Sequence, residues 1–210
     1  MKKMKQLLKS IIYYLVSAIG ISLTIKANVG VSSFNSLNVS VANLFSIQIG
    51  TVTTLLNVSF LLACIILDKE RKFSNYLLML VAVMSFGEVI NVVYYHLFSQ
   101  FTINSYIVNL LVFLLGVFIA GFGTGQVLRL SLLKFPIESF CQLLTEKTSH
   151  KFSTYRYGVD IVCVSLSLIL SLSFSLPVVV REGTIISLFL LSGVINWSKN
   201  LSFTPNIAKI

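Results

Sequence analysis

The chain has 210 residues, 56% of them hydrophobic and 11% charged, with a net charge of +9. An ordinary soluble domain is about one quarter charged; here the apolar residues gather in runs long enough to cross a hydrocarbon core of roughly 30 Å, which excludes a soluble fold. The basic residues sit in short turns beside those runs, where they set orientation in a bilayer, so the positive charge is not read as a nucleic-acid surface.

A basic start, MKKMKQLLKS, leads into IIYYLVSAIGISLTI. The apolar stretch outruns a signal-peptide core and no small-residue cleavage site follows it. A retained first span is therefore expected over about Ile11 to Ile25. In the connection from Lys26 to Ile49, residues Leu37, Val41, Leu44 and Phe45 recur at helical spacing. That spacing predicts a short amphipathic helix at the membrane interface. The second span is expected over about Gly50 to Leu67, followed by the charged turn DKERKF. The third covers about Tyr76 to Phe98, the uncharged turn SQFTINS follows, and the fourth covers about Tyr106 to Leu128. The basic connection Arg129 to Thr154 holds a second amphipathic piece, with Ile137, Phe140, Cys141 and Leu144 on one face. Pro136 opens it, as proline does at a helix's first turn. The fifth span is expected over about Tyr155 to Phe174, Pro177 sits in the next turn, and a short sixth span runs from about Gly183 to Trp197.

With a cytoplasmic N-terminus, every Lys and Arg except Lys26 and Arg181 falls on the inner side. The bias supports six spans with both termini inside. A shift of 103 positions, without a gap, places Gly123 on Gly20, Arg129 on Lys26, Glu138 on Asn35, Ser139 on Ser36, Thr154 on Thr51 and Asp160 on Asn57. Three spans per repeat is an odd number, so the halves must cross in opposite senses. The expected fold is an all-α polytopic membrane protein of one domain. It has six transmembrane helices as two inverted three-helix repeats, about 10–98 and about 105–198. Each repeat carries a short amphipathic helix after its first span.

Chemistry is expected from a few polar residues. Glu88 lies midway along the third span, where a carboxylate costs at least about 2.5 kcal/mol, so it should face the bundle or a wet cavity, with Asn91 nearby. Asp160 enters the fifth span with Arg156 four residues earlier on the same face, an expected ion pair, and Asn57 is its repeat partner. Asn35 and Glu138 open the two amphipathic pieces. Free N–H groups there, with Lys26 and Arg129 near, would suit an anionic ligand; headgroup contact and ordinary capping are the plainer alternative. Gly121, Gly123 and Gly125 end an apolar helix rather than follow a strand, so they read as close helix packing and not as a dinucleotide fingerprint. Cys64, Cys141 and Cys163 are isolated, so neither a disulfide framework nor a metal site is suggested. No Ser-His-Asp pattern, HExxH motif or phosphate loop is present, so no enzyme activity and no cofactor is expected.

The stretches KANVGVSSFNSL and IGT in the first half, with GFGTGQVLRLSLLKFPIESF, FSTYRYGVD and EGT in the second, resemble the bacterial YczE/YyaS/YitT group of membrane proteins. The resemblance runs from about Gly20 to about Trp197. Ser33 and Asn35 depart from it, standing where a proline and an acid are typical, whereas Pro136 and Glu138 keep that pair. The resemblance implies an integral, transport-like protein of the plasma membrane and no particular substrate.

These readings converge on a secondary carrier or exporter of a small molecule whose identity the sequence does not give. The alternatives are the substrate-binding subunit of an ATPase-driven transporter, or a non-transporting accessory membrane protein. Besides the bilayer and the small molecule, a second copy of the chain or a transporter partner subunit are the partners to test.

Overall fold

The computed structural model describes residues 2–68, 73–100 and 105–201. Its elements are α1 (Lys2–Lys26), α2 (Ser33–Phe45), α3 (Ile49–Leu67), α4 (Phe73–Asn91), α5 (Tyr106–Leu130), α6 (Pro136–Lys147), α7 (Phe152–Ser173) and α8 (Glu182–Asn200). A π-helical turn, Val92–Leu97, continues α4. Five stretches are long and apolar enough to cross a membrane: Met4–Lys26, Ile49–Leu67, Phe73–Leu97, Tyr106–Leu130 and Phe152–Ser173. The helix α8 has 19 residues but not the apolarity of those five, since Thr184, Ser187, Ser192, Asn196 and Ser198 interrupt its leucines. Among the residues expected to set orientation, Lys69, Arg71, Lys72 and Lys209, and the side chains of Lys2 and Lys3, lie outside the described residues, as do positions 101–104 of the uncharged turn.

The centre of the molecule is the crossing of α1 and α5. A Cβ on Gly20 would collide with the backbone of Ala120 and Gly116; a Cβ on Gly123 would stand 2.6 Å from the carbonyl oxygen of Tyr13 and 2.7 Å from the amide of Ser17. Both positions therefore require glycine, because the two backbones touch directly. Ser17 Oγ seals the crossing with a bond to the Ala120 carbonyl (3.3 Å) and a contact with Thr124 Oγ1 (2.9 Å). Residues Tyr13 and Ser17 are the positions 103 before Gly116 and Ala120, so the contact is reciprocal in sequence as well as in space.

Around that crossing, α4 packs on α1 and α3, while α8 packs on α5. Asn91 locks α4 to α3: its Oδ1 accepts from the Gly50 amide (2.8 Å) and its Nδ2 donates to Thr51 Oγ1 (3.3 Å). On the α5–α8 side, Ser198 Oγ donates to the Phe122 carbonyl (2.7 Å), and Gln126 Nε2 donates back to the Ser198 carbonyl.

The short helices α2 and α6 form where they are expected. The α2 face that the sequence suggested would sit in the interface is the outward one: Phe45 is exposed and Leu37, Val41 and Leu44 are partly so. The buried face holds Ser33, Asn35, Ser36, Asn38 and Ser40, with Val39 and Ala42. In a bilayer the apolar side turns to hydrocarbon and the polar side must find partners within the protein. It finds them on α7, where Ser167 Oγ donates to the Ser36 carbonyl (3.1 Å) and contacts Ser40 Oγ (2.8 Å). Helix α6 packs correspondingly on α3, where Cys64 Sγ donates to the Pro136 carbonyl (3.5 Å). Cys64 stands 103 residues before Ser167. Each short helix therefore docks on the long helix that follows the other one.

Candidate functional site

Both short helices begin inside the protein and without a side-chain cap. Their first residues, Ser33 and Pro136, follow extended N-cap residues, Ser32 and Phe135, neither of which caps with its side chain. The first turn of a helix leaves N–H groups unsatisfied and carries partial positive charge. Two such ends, buried and uncapped, therefore face whatever lies between α2, α6 and α7.

Ionisable and polar side chains lie there. Arg156 Nη1 stands 3.2 Å from Asp160 Oδ1, an ion pair across one turn of α7 that is too bent to be a hydrogen bond. The Ser33 hydroxyl lies within electrostatic reach of the Asp160 carboxylate but outside hydrogen-bond geometry. On α6, Glu138 turns its carboxylate toward its own backbone N–H, while its Oε2 is shielded from solvent and has no hydrogen bond among the described residues. Burial pushes the Glu138 carboxyl above the ordinary carboxylate range, and the Arg156 guanidinium opposes that push. Among the described residues, the buried side-chain polar atoms without a hydrogen bond are Ser33 Oγ, Asn38 Oδ1, Glu138 Oε2, Ser139 Oγ and Arg156 Nη1. All of them lie on α2, α6 and the first turns of α7. Native interiors satisfy nearly every buried polar group. The exceptions among the described residues are concentrated on three adjoining helices.

The structure sorts the expected residues. It brings Arg156, Asp160 and Glu138 together and buries Asn35 on the α2 face beside Ser33 and Ser36. Asn57 is buried but donates to Thr53 of its own helix (2.8 Å). Asn91 holds the start of α3. Glu88 does not enter the bundle: it is exposed on the outward face of α4, because Phe86, Gly87, Ile90 and Asn91 occupy the inward one. Lys26 and Arg129 make contacts of their own. The Lys26 ammonium lies 5.8 Å from the centre of the Tyr94 ring, and Arg129 donates to the carbonyl of Leu201. Tyr14 was not legible beforehand. It is buried within electrostatic reach of Glu138, stacked on Phe135 (4.4 Å between ring centres) and edge-on to Phe86 (4.9 Å). The only sequence signal was a tyrosine inside an apolar run.

Two cavities flank this centre. One, of about 450 Å³, is bordered by Tyr76, Ser131, Lys134, Ser139, Gln142 and Glu146. The other, of about 670 Å³, is bordered by Asn28, Val31, Val39, Asn43, Tyr95 and Val179. They sit at opposite ends of the molecule: the first adjoins the start of α4 and the end of α5, the second the π-helical turn after α4 and the start of α5. Asn28, Val31, Val39, Asn43 and Tyr76 each have a counterpart 103 positions later on the wall of the opposite cavity, at Ser131, Lys134, Gln142, Glu146 and Val179. Asn28 and Ser131 also share a left-handed backbone, with φ of 52° and 56°.

Long apolar helices around a buried, ionisable and incompletely satisfied centre define a multi-pass membrane protein. The chain belongs to the family of unknown function DUF6198, whose model matches residues 4–200. It is similar to the uncharacterized protein YyaS of Bacillus subtilis (strain 168), 25% identical over 176 residues, covering 84% of this chain and 83% of that protein. It is also similar to the uncharacterized membrane protein YczE of the same organism, 25% identical over 154 residues, covering 70% of this chain and 66% of that one. No solved structure gives a significant match.

Proposed function

We propose that the protein is a secondary carrier or exporter of a small molecule in a bacterial plasma membrane, with both termini cytoplasmic and α8 as its sixth span. The observation that carries this reading is the pair of cavities at opposite ends, lined by residues related through one sequence offset. Two halves of opposite orientation would produce such a pair, and carriers of inverted-repeat design hold their substrate near the midplane between two such entrances. The same offset relates Ser33 to Pro136 and Ile49 to Phe152 at the starts of α2 and α6, and of α3 and α7. Substrate would lie between the uncapped starts of α2 and α6, touching Glu138, Arg156 and Asp160. The protein is not an enzyme in this reading: the centre offers charge and hydrogen bonds but no activated nucleophile.

Sided thiol labelling tests it. Single cysteines at Val39 and Gln142 should react with a membrane-impermeant reagent from the outside and the inside respectively. A cysteine at Asn35, in the centre, should be reached from both sides. Labelling of the centre from one side alone would instead favour a substrate-binding subunit of an ATPase-driven transporter, and co-purification of an ATPase would then identify it.

A further inference from the structure

A third concavity, of about 560 Å³, opens sideways between α3 and α7, which make no substantial contact with each other. Its wall is almost entirely apolar. The α3 side contributes Leu56, Ser59, Phe60 and Ala63; the α7 side contributes Val159, Val162, Cys163 and Leu166. These are the same four positions displaced by 103. Leu37 of α2 and Phe140 of α6, again 103 apart, form the floor. The crevice therefore lies where the two halves meet, midway along the two long helices. The flanking side chains Leu55, Leu62, Ile161 and Ile169 are exposed.

An apolar crevice at that depth is filled by what surrounds it, and only lipid chains are there. One end of the crevice is not apolar in its surroundings. Thr154 and Tyr155 line it, one turn after the exposed N-cap residue Lys151, while the neighbouring Arg156 is held by Asp160 at 3.2 Å. A cationic rim one helical turn from an apolar slot is complementary to an anionic headgroup joined to a hydrocarbon chain. We infer that the α3–α7 crevice binds one acyl chain of an anionic bilayer lipid, with its headgroup against Lys151. This inference is independent of transport: a lipid bound there would be retained whether or not a substrate passes.

Gly158 gives a test that leaves the packing intact, because a Cβ built there meets nothing within 4 Å. Gly193, on α8, is equally open and serves as the control. The full chain is purified from vesicles containing equal phosphatidylglycerol and phosphatidylcholine, then examined by native mass spectrometry. The wild type and Gly193→Trp should retain a phosphatidylglycerol molecule; Gly158→Trp, which fills the crevice, should lose it. Lys151→Gln should keep a lipid but lose the preference between the two. Retention by Gly158→Trp, equal loss from Gly193→Trp, or no headgroup preference in the wild type would overturn the assignment.

Discussion

Ser17 donates a hydrogen bond to the carbonyl of Ala120, the residue at its own position in the second half of the chain. The two residues are 103 positions apart and sit where α1 and α5 cross. The glycines on either side, Gly20 and Gly123, keep the crossing tight enough for that bond to form. Substituting Gly20→Leu or Gly123→Leu should separate α1 from α5, costing about 3 kcal/mol or more, since the added atoms meet backbone rather than a movable side chain. The two variants should lower the melting temperature in detergent by similar amounts. A normal melt for either one would remove the crossing from the centre of the fold.

The Arg156–Asp160 pair makes a second prediction. The two side chains are 28% and 13% exposed, so the pair falls between an exposed bridge worth at most about 1 kcal/mol and a buried one that costs about 3–5 kcal/mol to break. Asp160→Asn leaves the guanidinium uncompensated beside the start of α6, and Arg156→Gln leaves the carboxylate uncompensated. Each single variant should be less stable than the double variant. If the double variant is the least stable, the pair is not what holds α7 in place.

Glu138 gives a dependence on pH. Its carboxyl is raised in the folded protein, so the folded state holds its proton more tightly than the unfolded state does. The stability it contributes is complete below the unfolded carboxyl value of about 4.3 and is lost as pH rises through the higher folded value. Thermal melts of the wild type should therefore improve on acidification relative to Glu138→Gln, whose curve should be flatter across the same range. Parallel curves would mean that Glu138 is held as readily charged as neutral.

Asn91 supports the start of α3 rather than a ligand. Asn91→Leu should leave the Gly50 amide without an acceptor and destabilise the protein by about 1–3 kcal/mol. Any effect on substrate should follow stability, and a conservative Asn91→Asp variant should restore part of the loss. A large effect on ligand binding with an unchanged melt would return Asn91 to the site.

The starts of two long helices were legible almost to the residue: α3 was expected from Gly50 and begins at Ile49, and α5 was expected to begin at Tyr106 and does, whereas α1 begins at Lys2, nine residues before the expected Ile11. Length and apolarity decide a membrane helix, and both are printed in the sequence. Which side of a helix faces inward is not printed. The helix α4 is apolar nearly all round, so nothing in its pattern says that Glu88 points out and Asn91 points in. For α2 the amphipathic pattern was legible, but not that its polar face docks on α7. The centre was half legible: charge revealed Glu138, Arg156 and Asp160, whereas Tyr14 and Ser33 joined them only through packing between helices far apart in the chain.

The docking of α2 on α7 bears on how the protein is made. Ser40 and Ser167, which meet at 2.8 Å, are separated by 127 residues, so the serine and asparagine face of α2 leaves the ribosome well before its partner exists. At about 5–20 residues per second that interval is on the order of ten seconds. A helix with such a face cannot rest in hydrocarbon meanwhile, so α2 must wait at the aqueous surface and enter only with α7. The first half of this chain is then not an independent unit of biogenesis, and a ribosome stalled before α7 should leave α2 open to added protease.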